Sequence, residues 1–284
     1  MKNMIKKSFR LLLVLTILIA VMTSCNVKNQ NTAGKTGTDS TGLQQGSLDS
    51  TKVAVITQRF SNGVIKAEIA VKGNKRDGLT KNYHEDASLM SEINYVNNTK
   101  QGISRDYYPK KKVRMEIMYD NGLMNGDAKW YYESGEVYRV TPYIKGKAEG
   151  IQKEYYKDGK IKAEVPYKSG NAIPGLKEYS LKGELLKQPA IIIEKQDKIA
   201  SEGKLILKLH MSDNSRKVKW YEGELKDWSM FPKSLNVVGC DVYGTGTKSY
   251  SIAPGRMIRK SITIYAVINT EWGNALVIKK KYDI

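Results

Sequence analysis

Tyrosine and lysine, rather than histidine or cysteine, are the residues of this chain whose spacing is regular enough to build a chemical surface. Tyr83, Tyr107, Tyr131 and Tyr155 stand 24 residues apart, and each follows a base by two positions: Lys81, Arg105, Lys129 and Lys153. Period-two spacing on a strand puts phenol and cation on one face. There, aromatic faces could stack on sugars or partner side chains, and the cations could meet an anion. The same tyrosines could equally serve as cross-strand packing, which explains a strict period without any ligand. The candidate binding face is therefore Lys129, Tyr131, Tyr107, Tyr155, Arg105 and Lys153.

Catalytic chemistry has less to stand on. Of the two histidines, His84 falls in the slot filled elsewhere by Tyr108, Tyr132 and Tyr156, and His210 lies in an alternating apolar run, so both read as sheet residues. No His/Cys cluster has zinc spacing and no Asp/Asn-Gly loop has calcium spacing. The stretch GTGTKS, Gly244–Ser249, lacks the Walker order, because Thr245 rather than lysine follows the second glycine of the Gly239/Gly244 pair; it reads as a hairpin loop. No histidine is placed to activate a nucleophile in a known arrangement. The expectation is a non-enzyme with no metal and no cofactor.

The elements that position the tyrosines are repeats. Gly78, Gly102, Gly126 and Gly150 share the 24-residue period, as do Tyr95, Tyr119, Tyr143 and Tyr167. A degenerate unit precedes these and a half unit follows, over residues 54–188. Each unit reads as a β-hairpin with glycines at turns. In IQKEYYKDGKIKAEVPY the Asp158-Gly159 pair predicts a two-residue turn. That places Tyr156 opposite Ile161, Tyr155 opposite Lys162 and Lys153 opposite Glu164. The same offsets put Lys81 opposite Glu92 and Arg105 opposite Glu116, whereas Lys129 meets Val140 and lacks its glutamate. The other face, with Tyr132, Val137, Tyr156, Ile161, Ala163, Val165, Val113, Met115 and Ile117, is more apolar and should pack.

From residue 189 to 284 the period is lost. Seven strand-like runs separated by Gly, Asn, Ser and Pro predict an antiparallel sandwich. Cys240 lies in one of them, LNVVGCDVY, and is expected to be buried and inert. The fold class is thus all-β: an extended antiparallel sheet of hairpins followed by a β-sandwich.

The N-terminus carries an address. A basic segment, the apolar run Leu11–Met22 and the small residues Thr23 and Ser24 lead to Cys25, the order of a secretory signal over residues 1–24. The apolar run is shorter than the roughly 20 residues a membrane span needs. Residues 25–53 are polar and rich in Gly, Ser, Thr, Asn and Gln, the composition of a flexible tether. The chain of 284 residues has 47 basic against 29 acidic residues; without residues 1–24 the excess is still +14, spread evenly. Such a skin suits anionic envelope polymers or lipid headgroups, and no nucleic-acid motif accompanies it.

Two resemblances follow from these residues. Met22-Thr23-Ser24-Cys25 resembles the lipobox of bacterial lipoproteins, which implies that Cys25 is acylated, with palmitate among the usual chains, and anchors the protein to a membrane. Asn26, and the absence of Asp there, then implies the outer membrane facing the periplasm. The units YDNGLMNGDAKWYYESG and YIKGKAEGIQKEYYKDG resemble the MORN-repeat variant found in YwqK-type antitoxin-like proteins and in bacterial lipoproteins. The final hairpin resembles the end of immunoglobulin-like or fibronectin-like domains. Together these imply a lipid-anchored envelope protein whose repeat sheet meets an unidentified envelope protein or anionic polymer. The alternatives are a toxin-binding antitoxin or immunity protein, or a glycan-binding lipoprotein.

Overall fold

The computed structural model describes residues 51–109 and 111–284. The signal segment, Cys25 and the tether up to residue 50 lie outside them. Ten strands make the repeat sheet: β1 Val53–Arg59, β2 Ile65–Lys72, β3 Lys75–Tyr83, β4 Leu89–Val96, β5 Gly102–Tyr107, β6 Val113–Asp120, β7 Leu123–Tyr131, β8 Val137–Ile144, β9 Gly150–Tyr155 and β10 Ile161–Lys168. Each pairs antiparallel with its neighbour in chain order, and two-residue strands fill the margins. Sequential hairpins need no crossover, so a short repeat can add strands indefinitely.

Turn chemistry alternates along the sheet. At one end lie two-residue turns, Asn97-Asn98, Asn121-Gly122, Lys145-Gly146 and Ser169-Gly170, with positive φ at both positions. That is the hairpin turn whose twist suits the flanking strands. At the other end the loop has three residues. Tyr156 N–H donates to Lys160 O (2.9 Å) and Gly159 N–H to Tyr156 O (3.0 Å), with Gly159 left-handed.

The expected two-residue turn at Asp158-Gly159 is therefore corrected. The bulge that follows shifts the register, so Tyr155 pairs with Ile161 rather than Lys162, while Lys153 still pairs with Glu164. The same shift sets Val113 opposite Tyr107 and Val137 opposite Tyr131, on the tyrosine face rather than the opposite one. Of the residues expected to pack on that opposite face, Ala163 and Val165 alone are fully buried.

Two units place a side-chain-bearing residue in the left-handed slot: Ala87 at φ 62° and Lys111 at φ 61°. A left-handed L-residue costs roughly 1–2 kcal/mol, partly offset because glycine loses more entropy on folding, about 0.5–1 kcal/mol. Ala87→Gly should therefore raise stability by about 0.5–1 kcal/mol, read as a higher urea midpoint at unchanged slope.

The periodic glycines are not at turns. Gly78 and Gly126 sit in bulges, where Asp77-Gly78-Leu79 spans Ala70 and Asn125-Gly126-Asp127 spans Met118 on the preceding strand. Gly150 shows why no side chain is tolerated there: φ is +103° and a Cβ would lie 3.3 Å from Pro142 Cγ.

The C-terminal part has seven strands: β11 Ile191–Lys198, β12 Lys204–Met211, β13 Lys219–Glu222, β14 Asn236–Val238, β15 Gly246–Ser251, β16 Ser261–Asn269 and β17 Ala275–Asp283. They form two antiparallel sheets, β11-β12-β15 and β14-β13-β16-β17. Between them lies one apolar core: Ile191, Leu207, Leu209, Met211, Trp220, Ile262, Ile264, Ala266 and Ile268. Alternation in KLILKLHM puts Leu207, Leu209 and Met211 on the inner face; β16 is covered on both faces, with Ile262, Ile264, Ala266 and Ile268 in this core and Tyr265 in a second cluster with Phe231, Leu235 and Val277.

Ala163 and Val165 of β10, with Leu176, belong to that same core. One face of the last repeat hairpin is thus covered by the C-terminal sheets, while the outer edge of β10 is taken up by the short strands Asn171–Ala172 and Lys177–Glu178. Polar contacts secure the junction: Glu178 accepts from Thr270 Oγ1 (2.7 Å) and Asn274 Nδ2 (2.9 Å). Cys240 is exposed, contrary to expectation, because its run leaves β14 at Val238 and enters a turn. GTGTKS lies where that turn passes into β15, as the hairpin reading required.

Candidate interaction surface

One residue from each of β2 to β10, and one from the short strand Lys177–Glu178, lines up across the sheet. By pairing register the row runs Glu68, Lys81, Glu92, Arg105, Glu116, Lys129, Val140, Lys153, Glu164 and Lys177. Acid and base alternate everywhere except at Val140. Each base between β3 and β7 thus has a carboxylate on at least one side. Lys129, expected to be unpartnered, faces Glu116 on β6 as well as Val140 on β8.

The tyrosines form a second row that ties into the first. Tyr83 donates to Glu68 (2.6 Å), Tyr107 to Glu92 (2.6 Å), Tyr131 to Glu116 (2.7 Å) and Tyr179 to Glu164 (3.0 Å), each reaching back 15 residues. Arg105 adds an ion pair to Glu116 at 3.0 Å. The bond from Tyr131, then Arg105, holds the Glu116 carboxyl below its ordinary range. Fifteen residues before Tyr155 stands Val140, so this phenol has no carboxylate to bind.

These bonds have a measurable signature. The carboxylate acceptor at Tyr83, and burial followed by the carboxylate bond at Tyr107 and Tyr131, push each phenol up to about 12. A folded value above the unfolded one means stability that is complete below the ordinary phenol range near 10 and lost as pH rises through 12. Ultraviolet titration should show a late tyrosinate step near pH 12, accompanied by unfolding, with Tyr131→Phe removing part of its amplitude.

A third tyrosine row explains the second aromatic of each YY pair. Tyr108, Tyr132 and Tyr156 donate to the backbone carbonyls of Tyr131, Tyr155 and Tyr179 at 2.7–2.8 Å. These phenols lock one hairpin to the next, a role that spacing alone did not reveal; the constant separation of 23 residues was its only trace. On the opposite face three further aromatics carry cations, with Arg76 at 4.1 Å from the Tyr95 ring centroid, Lys100 at 4.8 Å from that of Tyr119 and Arg139 at 3.9 Å from that of Trp130.

The six candidate binding residues therefore share one face, in different circumstances. Arg105, Tyr107 and Tyr131 are engaged with carboxylates. The side chains of Tyr155 and Lys153 have neither a hydrogen bond nor an ion pair among the described residues, and Lys129 feels Glu116 without a close ion pair. Beside Lys129 and Tyr155 opens a shallow hollow of about 400 Å3, lined also by Tyr131, Glu136, Val137 and Val140; Lys153 is next to Val140 in the row but not in the lining. His210 is placed beside Glu194 at 3.7 Å on a C-terminal strand, far along the chain from His84. Among the described residues no three His, Cys, Asp or Glu side chains are grouped to hold a metal.

No curated protein matches this chain. The MORN repeat variant matches it four times in tandem, at residues 76–97, 100–121, 124–145 and 148–169, which span β3 to β10 of the sheet.

Proposed function

We propose that this is a non-catalytic, lipid-anchored protein of the cell envelope whose repeat sheet is an interaction surface. The observation that carries this reading is the break in the acid–base row at Val140. It leaves Lys129, Lys153 and Tyr155 free to engage a partner beside a hollow. Four copies of a repeat module side by side in one extended sheet suit recognition better than chemistry.

The lipobox-like ending at Cys25 supports anchoring, and Asn26 supports the periplasmic side of the outer membrane. The strand order β11-β12-β15 and β14-β13-β16-β17 supports an immunoglobulin-like or fibronectin-like sandwich whose part is to cover one face of the last repeat hairpin. Two tests separate address from activity. Cys25→Ser should move the protein from the membrane fraction to the soluble fraction. Cross-linking in cells followed by mass spectrometry should recover envelope partners with the wild-type chain and lose them with Lys129→Glu/Lys153→Glu; identical partner lists would remove the tyrosine–lysine face from consideration.

A further inference from the structure

The sheet contains its own description of what is missing at Val140. Four times a glutamate carboxylate sits in the row, accepts a hydrogen bond from the tyrosine 15 residues on, and is flanked by a base across the strand pair. At Val140 the flanking bases are present, Lys129 on one side and Lys153 on the other. The tyrosine is present too, as Tyr155. Only the carboxylate is absent. The row holds five bases and four acids, and its one excess charge lies at this gap.

Resting on the reading of the sheet as an interaction surface, we propose that the gap is a slot for the carboxylate of a glutamate or aspartate side chain presented by a partner protein. Such a side chain would accept from Tyr155, lie between Lys129 and Lys153, and set its methylenes on Val137 and Val140. Both valines line the hollow. The occupant is a protein side chain because the group it replaces in the other units is one, with the same charge and the same apolar stem. Glu136 is the one carboxylate on the rim; it precedes β8 at the loop end and is not in the row, where the register puts Val140. Charge-assisted bonds of this kind give specificity in a partly desolvated site and weaken with salt.

The test uses the full-length protein in detergent and a fluorescein-labelled hexaglutamate peptide, read by anisotropy at low salt. Hexaglutamate should bind, and hexaglutamine should bind at least about tenfold more weakly. Val140→Glu, which fills the slot from within, should weaken hexaglutamate by about tenfold or more while melting no lower than wild type; Val140→Leu should bind as wild type. Tyr155→Phe and Lys153→Gln should each weaken it by about two- to fivefold, which keeps the test intact if Val140→Glu folds poorly.

Absence of hexaglutamate binding, or equal binding by Val140→Glu, overturns the slot. So does tighter binding of oligogalacturonate, which would assign the cations to a polymer. Envelope cross-links lost in Lys129→Glu/Lys153→Glu but kept in a well-folded Val140→Glu would likewise remove the slot while leaving the interaction surface standing.

Discussion

Trp220→Ala is expected to destabilise the protein by about 3–5 kcal/mol, the range for emptying a large buried aromatic site. Trp220 is 1% exposed and lies on β13 at the centre of the shared core. Its Nε1–H donates to Gly244 O at 2.9 Å, and its ring lies against the bare backbone of Gly246, where a Cβ would come within 2.9 Å of Cδ1. Alanine removes the ring and orphans a buried carbonyl together. Because Ala163 and Val165 belong to the same core, the loss should reach the last repeat hairpin as well. Urea denaturation would measure the fall, and amide exchange should speed up in residues 150–168 along with the C-terminal strands. Acceleration confined to the C-terminal strands would show that the two regions unfold independently.

Glu222→Ala is expected to cost about 1–3 kcal/mol, since it takes the acceptor from the half-buried Tyr250 hydroxyl and the counter-charge from Lys248 and Lys260, whose side chains are 29% and 54% exposed and stay solvated. Glu222 is 5% exposed; it meets Lys248 Nζ at 2.6 Å and Lys260 Nζ at 3.6 Å, and accepts from the Tyr250 hydroxyl at 2.8 Å. Burial pushes its carboxyl up, but the bonds from Lys248 and Tyr250 and the charge of Lys260 outweigh that and hold it below the ordinary range. A depressed carboxyl contributes stability that is present above its unfolded value and lost as pH falls through the folded one. The gap between wild type and Glu222→Gln should therefore be widest near neutrality and narrow below about pH 4. A gap independent of pH would mean that packing, not charge, is what the glutamate supplies.

Much of the repeat sheet was legible before any coordinates. A period of 24 with tyrosine, base and glycine in step implies identical hairpins, and the pairs Lys153–Glu164, Lys81–Glu92 and Arg105–Glu116 followed from offsets alone. The bulges were not legible. Asp158-Gly159 favours a two-residue turn and also a three-residue loop with glycine left-handed, and the choice depends on how the next hairpin docks. That single residue of slip moved Val113, Val137 and Ile161 to the tyrosine face. Lys129 faces Val140 as its hairpin offset requires; its second neighbour, Glu116 on β6, is not visible in one hairpin, because a strand inside a sheet has two partners.

What the sequence by itself determined is local and periodic: an all-β chain, hairpins of fixed length, seven further strands, and a glutamate missing at position 140. Those features reside in side-chain alternation and short-range turn preference, which act over a few residues. What only the tertiary structure decided is which distant residues meet. It joined the last hairpin to the C-terminal core through Ala163, Val165 and Leu176, turned Cys240 outward, and lined up one residue from each of β2 to β10 with Lys177 so that Val140 interrupts the row. Burial and register are properties of the whole sheet, set by apolar surface removed from water and by hydrogen bonds between strands far apart in the chain.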